Sequence, residues 1–163
     1  MAKRTTAIRI SLLFFSLVLL SCNNKVVKQK VVDFNQSYWN KDSIVQMDFS
    51  PRAHQKYTIS FLIRNDNNYP YSNIFLIGSI ENKKYKQIDT LEYEMADELG
   101  NWLGTGVSEI KESKLIYKKN YSFKDTLPYH ISLKHAVRKT GNIKGDSILK
   151  GITNVGIIIE KTE

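Results

Sequence analysis

Tyr57-Thr58-Ile59-Ser60-Phe61-Leu62-Ile63-Arg64, residues 57–64, decides the fold class. On an extended chain Tyr57, Ile59, Phe61 and Ile63 share one side and Thr58, Ser60 and Arg64 the other, because side chains alternate faces with a period of two. A helix would scatter the same residues around its circumference, so the stretch predicts a half-buried strand. Just beyond it, RNDNNYPYSN (64–73) is dense in Asn, Asp and Pro, the composition of a loop. Before it, SIVQMDF (43–49) sets Val45, Met47 and Phe49 against Gln46 and Asp48. After it, NIFLIGSI (73–80) is apolar on both faces and predicts a central, doubly covered strand, and IDTLEYEM (88–95) turns Leu91, Tyr93 and Met95 inward.

Further strands are predicted at Leu115–Tyr117, around Tyr121 and Phe123, over YHISLKH (129–135) and at VGIII (155–159). No window of about eleven residues keeps a helical period, and at most one short turn of helix is expected between Lys134 and Arg138. About eight short strands at regular spacing predict an all-β, single antiparallel β-sandwich, Ig-like or jelly-roll, over residues 43–163. Its expected core contains Tyr57, Ile59, Phe61, Ile63, Leu91, Tyr93, Ile131, Leu133, Val155, Ile157 and Ile159.

Composition agrees. The 163 residues are 42% apolar and 25% charged, which fits one globular domain and excludes a disordered chain or a multi-span membrane protein. The formal charge of +8 suggests nucleic acid until the first 21 residues are set aside. They hold Lys3, Arg4 and Arg9 and no acid, leaving 21 basic against 16 acidic side chains. The lysines that remain are scattered without the interleaved aromatics of a stacking groove, so nucleic-acid binding is not expected.

The first 22 residues, MAKRTTAIRISLLFFSLVLLSC, have a basic start, an apolar run from Ile10 to Leu20 and a small residue before a cysteine. That is the three-part pattern of a secretory signal, and the run falls short of the roughly 20 residues of a spanning helix. Leu19-Leu20-Ser21-Cys22 resembles the bacterial lipobox, in which the cysteine sulfur receives a diacylglycerol and becomes the mature N-terminus. A lipidated Cys22 accounts for the single cysteine of the chain, which can form neither an internal disulfide nor a cysteine zinc cage. The expected organisation is a signal peptide (1–21), a lipidated N-terminus and tether (22–42) and the sandwich (43–163). No acidic residue follows in Asn23-Asn24-Lys25, which favours an outer-membrane anchor facing the periplasm.

Catalytic and metal-binding patterns are sparse. His54 falls in a polar turn, while His130 and His135 would face opposite sides of one strand, so no shared metal site is expected. Glu92 and Glu94 lie on the outer face of a strand, and neighbours on one strand rarely face each other as glycosidase acids must, although a pairing with Asp89 or Glu109 stays open. There is no nucleophile elbow and no phosphate-cradling loop, so the reading is a non-enzyme without metal or cofactor.

The densest unusual feature is Asp97-Glu98-Leu99-Gly100-Asn101-Trp102-Leu103-Gly104-Thr105-Gly106. Here Gly100, Gly104 and Gly106 would set the backbone path and Trp102 would plug the end of the core. Asp97, Glu98 and Asn101 would stand at the rim as candidate partner contacts. An exposed Trp102, or Trp39, would instead suit a carbohydrate-binding module, with the ring as the sugar platform.

Three blocks carry a resemblance: Gly100-Asn101-Trp102-Leu103-Gly104-Thr105-Gly106, Tyr129 to Arg138 (YHISLKHAVR), and Leu149 to Lys161 (LKGITNVGIIIEK). In this order and spacing, together with the lipobox, they resemble the gliding-motility lipoprotein GldH family of Bacteroidota. The resemblance implies a lipoprotein needed for gliding, working with other Gld lipoproteins and the adhesin-exporting type IX secretion machinery.

Overall fold

The computed structural model describes residues 25–106, 108–137 and 146–162. Cys22 and Arg138 lie outside the described residues. Ten strands follow one another: β1 (Val26–Asp33), β2 (Tyr38–Asn40), β3 (Val45–Phe49), β4 (Tyr57–Asn65), β5 (Asn73–Glu81), β6 (Lys86–Glu94), β7 (Lys111–Tyr121), β8 (Tyr129–His135), β9 (Ile148–Lys150) and β10 (Ile152–Lys161). They form a four-stranded sheet ordered β1-β10-β4-β7, a second ordered β3-β8-β5-β6, and a two-stranded ribbon β2-β9, all antiparallel. The only helical turn among the described residues is a 3-10 segment at Asn35–Ser37.

The all-β sandwich is therefore as predicted, with ten strands in place of about eight. Lys111–Tyr121 joins two predicted strands into one, and β1, β2 and β9 are additional. The tether expected in the early part of 22–42 is corrected: from Val26 the chain is a strand hydrogen-bonded along β10. Its residues show no alternation, because an edge strand with Lys28 and Lys30 in its middle leaves nearly every side chain exposed.

The core lies between the two large sheets. Tyr57, Ile59, Phe61 and Ile63 of β4 are enclosed against Ile131 and Leu133 of β8 and Val155, Ile157 and Ile159 of β10. Leu91 and Tyr93 are only half-buried, since β6 is an edge strand whose inward face is covered from one flank. β5 buries Ile74, Leu76, Gly78 and Ile80, while Phe75 and Ile77 stay half-exposed on the outer face, so the double covering predicted for it is not found. Gly78 is enclosed for a packing reason. A Cβ there would come within 3.0 Å of both the Phe61 and Tyr117 rings, which stack at 4.8 Å on the neighbouring strands β4 and β7 of the facing sheet.

Candidate functional site

At the end of the sandwich where β6 runs out, Met95 and Ala96 donate backbone N–H groups to the Ser72 carbonyl, and Asp97 then turns the chain. Its carboxylate is the hub of the loop. Oδ1 accepts from the Leu99 and Asn101 backbone N–H groups at 3.0 and 2.8 Å, and Oδ2 accepts from the Asn101 side-chain amide at 3.0 Å. These hydrogen bonds, Asn101 foremost, hold the Asp97 carboxyl below its ordinary pKa.

The glycines do what their positions require. Gly100 has φ of 84°, which only glycine adopts without strain. At Gly104 a Cβ would meet the Ser113 hydroxyl at 2.8 Å and the Glu112 carbonyl at 2.9 Å, and at Gly106 the Ile110 carbonyl at 2.3 Å. The loop thereby lies flat on the start of β7, with Thr105 and Glu112 exchanging backbone hydrogen bonds.

Trp102 is half-buried against the core's end, tilted over Tyr69 at 6.1 Å, and its indole N–H donates to Asn67 Oδ1 at 3.2 Å. It is neither a sealed plug nor a free platform. The sealed ring is Trp39 of β2, fully buried, stacked on Phe34 at 5.8 Å and donating its indole N–H to the Ser43 carbonyl at 2.8 Å. Enclosed in this way, Trp39 presents no face to a sugar.

The predicted contacts divide in two. Asp97 and Asn101 are tied to each other and shape the loop, whereas Glu98 is exposed. Beside it stand Leu99, 88% exposed, and Leu103, 54% exposed, which sequence reasoning did not single out. The available signal was two leucines in a stretch with no strand or helix period to bury them. With Glu92, Glu94 and Asp97, Leu103 lines a shallow concavity of about 410 Å³. Its chemistry is acidic and apolar together, suited to contact with another macromolecule.

Glu92 accepts a hydrogen bond from the Asn73 amide at 2.6 Å. Asp89 points away from it, toward β7, where it accepts from the Tyr117 hydroxyl at 2.8 Å and pairs with Lys118 at 3.0 Å. Burial works to raise the Asp89 pKa, but the hydrogen bonds from Lys118, Tyr117 and Gln87 outweigh it and bring it below the ordinary value. The pairing of Glu92 or Glu94 with Asp89 is thus not formed.

The histidines separate as their alternation requires. His130 is on the outer face, Nδ1 at 2.8 Å from Asp48 Oδ1, and His135 is buried with Nε2 donating to the Trp39 carbonyl at 3.1 Å. His54 is exposed in its turn. Among the described residues no three His, Cys, Asp or Glu side chains are grouped to hold a metal ion.

The GldH lipoprotein family profile matches residues 26–159, which takes in β1 to β9 and all but the last two residues of β10. The chain belongs to the GldH lipoprotein family. It is 40% identical over 161 residues to the gliding motility lipoprotein GldH homolog of Christiangramia forsetii, covering 97% of this chain and 98% of that one. It is 41% identical over 154 residues to the gliding motility lipoprotein GldH of Flavobacterium johnsoniae, covering 93% and 95%. GldH is a family of gliding motility lipoproteins and not a known family of enzymes. Among solved structures, the infectious bursal disease virus VP2 subviral particle overlaps at a TM-score of 0.31 and 15% identity, covering 83% of this chain and 34% of that one. That likeness is too loose to carry an argument about the fold.

Proposed function

We propose that this chain is a lipid-anchored outer-membrane component of the gliding apparatus, facing the periplasm and acting by binding other envelope proteins without catalysis. The observation that carries the reading is the family match over nearly the whole sandwich, with relatives named for gliding motility. Cys22 is the mature N-terminus and bears the acyl chains, as the apolar run ending in Leu19-Leu20-Ser21-Cys22 supports. Other Gld lipoproteins and the type IX secretion machinery are the partners of this reading. The contact surface is the rim formed by Glu98, Leu99 and Leu103, held out by the Asp97–Asn101 turn.

The test is complementation of a strain lacking the gene. Cys22→Ala should leave a precursor that takes up no labelled palmitate, and its cells should not spread. Glu98→Lys with Leu99→Asp should leave lipidation and protein level intact while abolishing both spreading and in-cell crosslinking to envelope proteins. A deletion strain that glides like its parent would end the reading.

A further inference from the structure

The two ends of the sandwich differ in charge, and the N-terminus emerges at one of them. Val26 of β1 lies opposite Glu160 of β10, which lies opposite Thr58 of β4. The Lys161 N–H donates to the Lys25 carbonyl and the Thr162 N–H to the Lys56 carbonyl, at 2.8 and 2.9 Å. The chain therefore enters the domain beside the β3–β4 turn. Tyr57 packs there on Phe49 and Phe123, and Phe123 on Tyr129, which places the β7–β8 turn at the same end. The β5–β6 turn joins them, because the Asn82 amide donates to Asp125 at 3.1 Å and Lys124 lies over the Tyr85 ring at 4.5 Å.

Among the described residues the turns and terminus at this end expose Arg52, Lys56, Lys83, Lys84, Lys124 and Lys161, with the half-buried Asp125 as the acid among them; in sequence Glu163 follows, outside the described residues. Tyr85 and Leu127 are exposed between the cations. The opposite end has the reverse composition among the described residues, with Asp42, Asp66, Asp97, Glu98, Glu109 and Asp146 in its connections against Lys41. In sequence, Arg138, Lys139 and Lys144 also belong to the β8–β9 connection, outside the described residues.

The length of chain before β1 gives this polarity a direction. Four residue steps separate Cys22 from Val26, at most ~14 Å when fully extended. A domain on so short a leash cannot turn its far end to the lipid without its near end still lying at the headgroups.

We propose that the basic end docks on the anionic phospholipid headgroups of the leaflet that holds the anchor, standing the sandwich on end with the Asp97–Leu103 rim directed away. The proposal rests on the reading of Cys22 as the lipid-bearing residue. Charge complementarity selects the surface, since each Lys or Arg near an anionic membrane strengthens association by about fivefold. Tyr85 and Leu127 suit the interfacial layer, where aromatic and apolar side chains sit at headgroup depth. Strands of nine residues rise about 30 Å, which carries the rim clear of the headgroups.

The test uses the full lipidated protein in vesicles of phosphatidylcholine alone or mixed with phosphatidylglycerol, with a quencher on a fraction of the headgroups. Because Cys22 is acylated, a fluorophore can be placed on the single free thiol of Ala53→Cys at the basic end or Leu99→Cys at the far end. The expected result is several-fold stronger quenching of the Ala53→Cys label with phosphatidylglycerol than without, abolished near 1 M salt, where the screening length falls to about 3 Å. The Leu99→Cys label should be unaffected throughout. Arg52→Glu with Lys56→Glu and Lys84→Glu should reduce quenching to the neutral-vesicle level. Equal quenching of the Ala53→Cys label in both vesicles, or preferential quenching at Leu99→Cys, would overturn the docking while leaving the anchor reading intact. An N-terminal peptide of unmodified mass would overturn both.

Discussion

Trp39 and Trp102 stand at the same end of the sandwich, and their surroundings give them different work. Trp39 is enclosed by Phe34, His135 and the Ser43 carbonyl, so every face of the ring meets protein. Trp102 has Tyr69 on one side and an exposed Asn67 for its indole N–H, and the loop around it keeps Leu99 and Leu103 in solvent. One ring closes the core, and the other props up a rim. A residue type that sequence reading treats as one signal thus splits into a folding element and a presenting element, according to what lies over it.

Substitution measures the split. Trp39→Ala should lower stability by about 3–5 kcal/mol in urea unfolding, the loss expected for a fully buried aromatic ring. Trp102→Ala should lose only about 1–2 kcal/mol, because the half-exposed ring has less area to forfeit. Equal losses would break the comparison. If Trp102→Ala instead melted like the parent and lost retention on a glycan column, the ring would be a sugar platform.

His135 sharpens it through pH. Burial beneath Trp39 drives its pKa below 6.5, with the hydrogen bond to the Trp39 carbonyl opposing. The folded state therefore resists a proton that the unfolded chain accepts. Stability should be level above about pH 6.5 and fall as pH drops below it. His135→Gln should flatten that slope, which denaturant titrations at several pH values would show. The smallest effect belongs to the rim. Asn101→Ala should leave the melting midpoint nearly unchanged while raising the Asp97 pKa toward its ordinary value, read by carboxyl NMR titration.

What the sequence disclosed depended on how a strand is covered. β3 and β8 face the core with one side, so their alternation is plain in Val45–Phe49 and Tyr129–Leu133. β4 alternates in sequence over Tyr57–Ile63 but buries Ser60 and Leu62 of its other face as well, a covering the half-buried reading did not foresee. Edges were harder. β1 has lysines where an alternating strand would have apolar residues, β7 ends in the polar run Lys118-Lys119-Asn120, and β2 and β9 are three residues each. For the same reason Leu91 and Tyr93 of the edge strand β6 are less enclosed than their alternation implied. In the Gly–Trp loop the conformational duties of the glycines were legible, because φ and close approach are properties of the residue. The fastening of Asn101 to Asp97 was not, because it depends on a turn that forms only once Gly100 takes its positive φ.

The pairing of β1 with β10 has a consequence for the order in which the molecule is completed. Val26 meets Glu160, so the earliest and latest strands of the sandwich are neighbours, and β10 lies between β1 and β4. A chain that emerges N-terminus first can zip β5 to β6 as a local hairpin, but its larger sheet stays split until the last ten-residue strand arrives. Such distant partners must pay the entropy of closing a loop nearly as long as the domain, which makes folding slow. Until then β4 exposes an open edge lined with Ile59, Phe61 and Ile63, the state in which a nascent chain is most prone to aggregate and most in need of a chaperone.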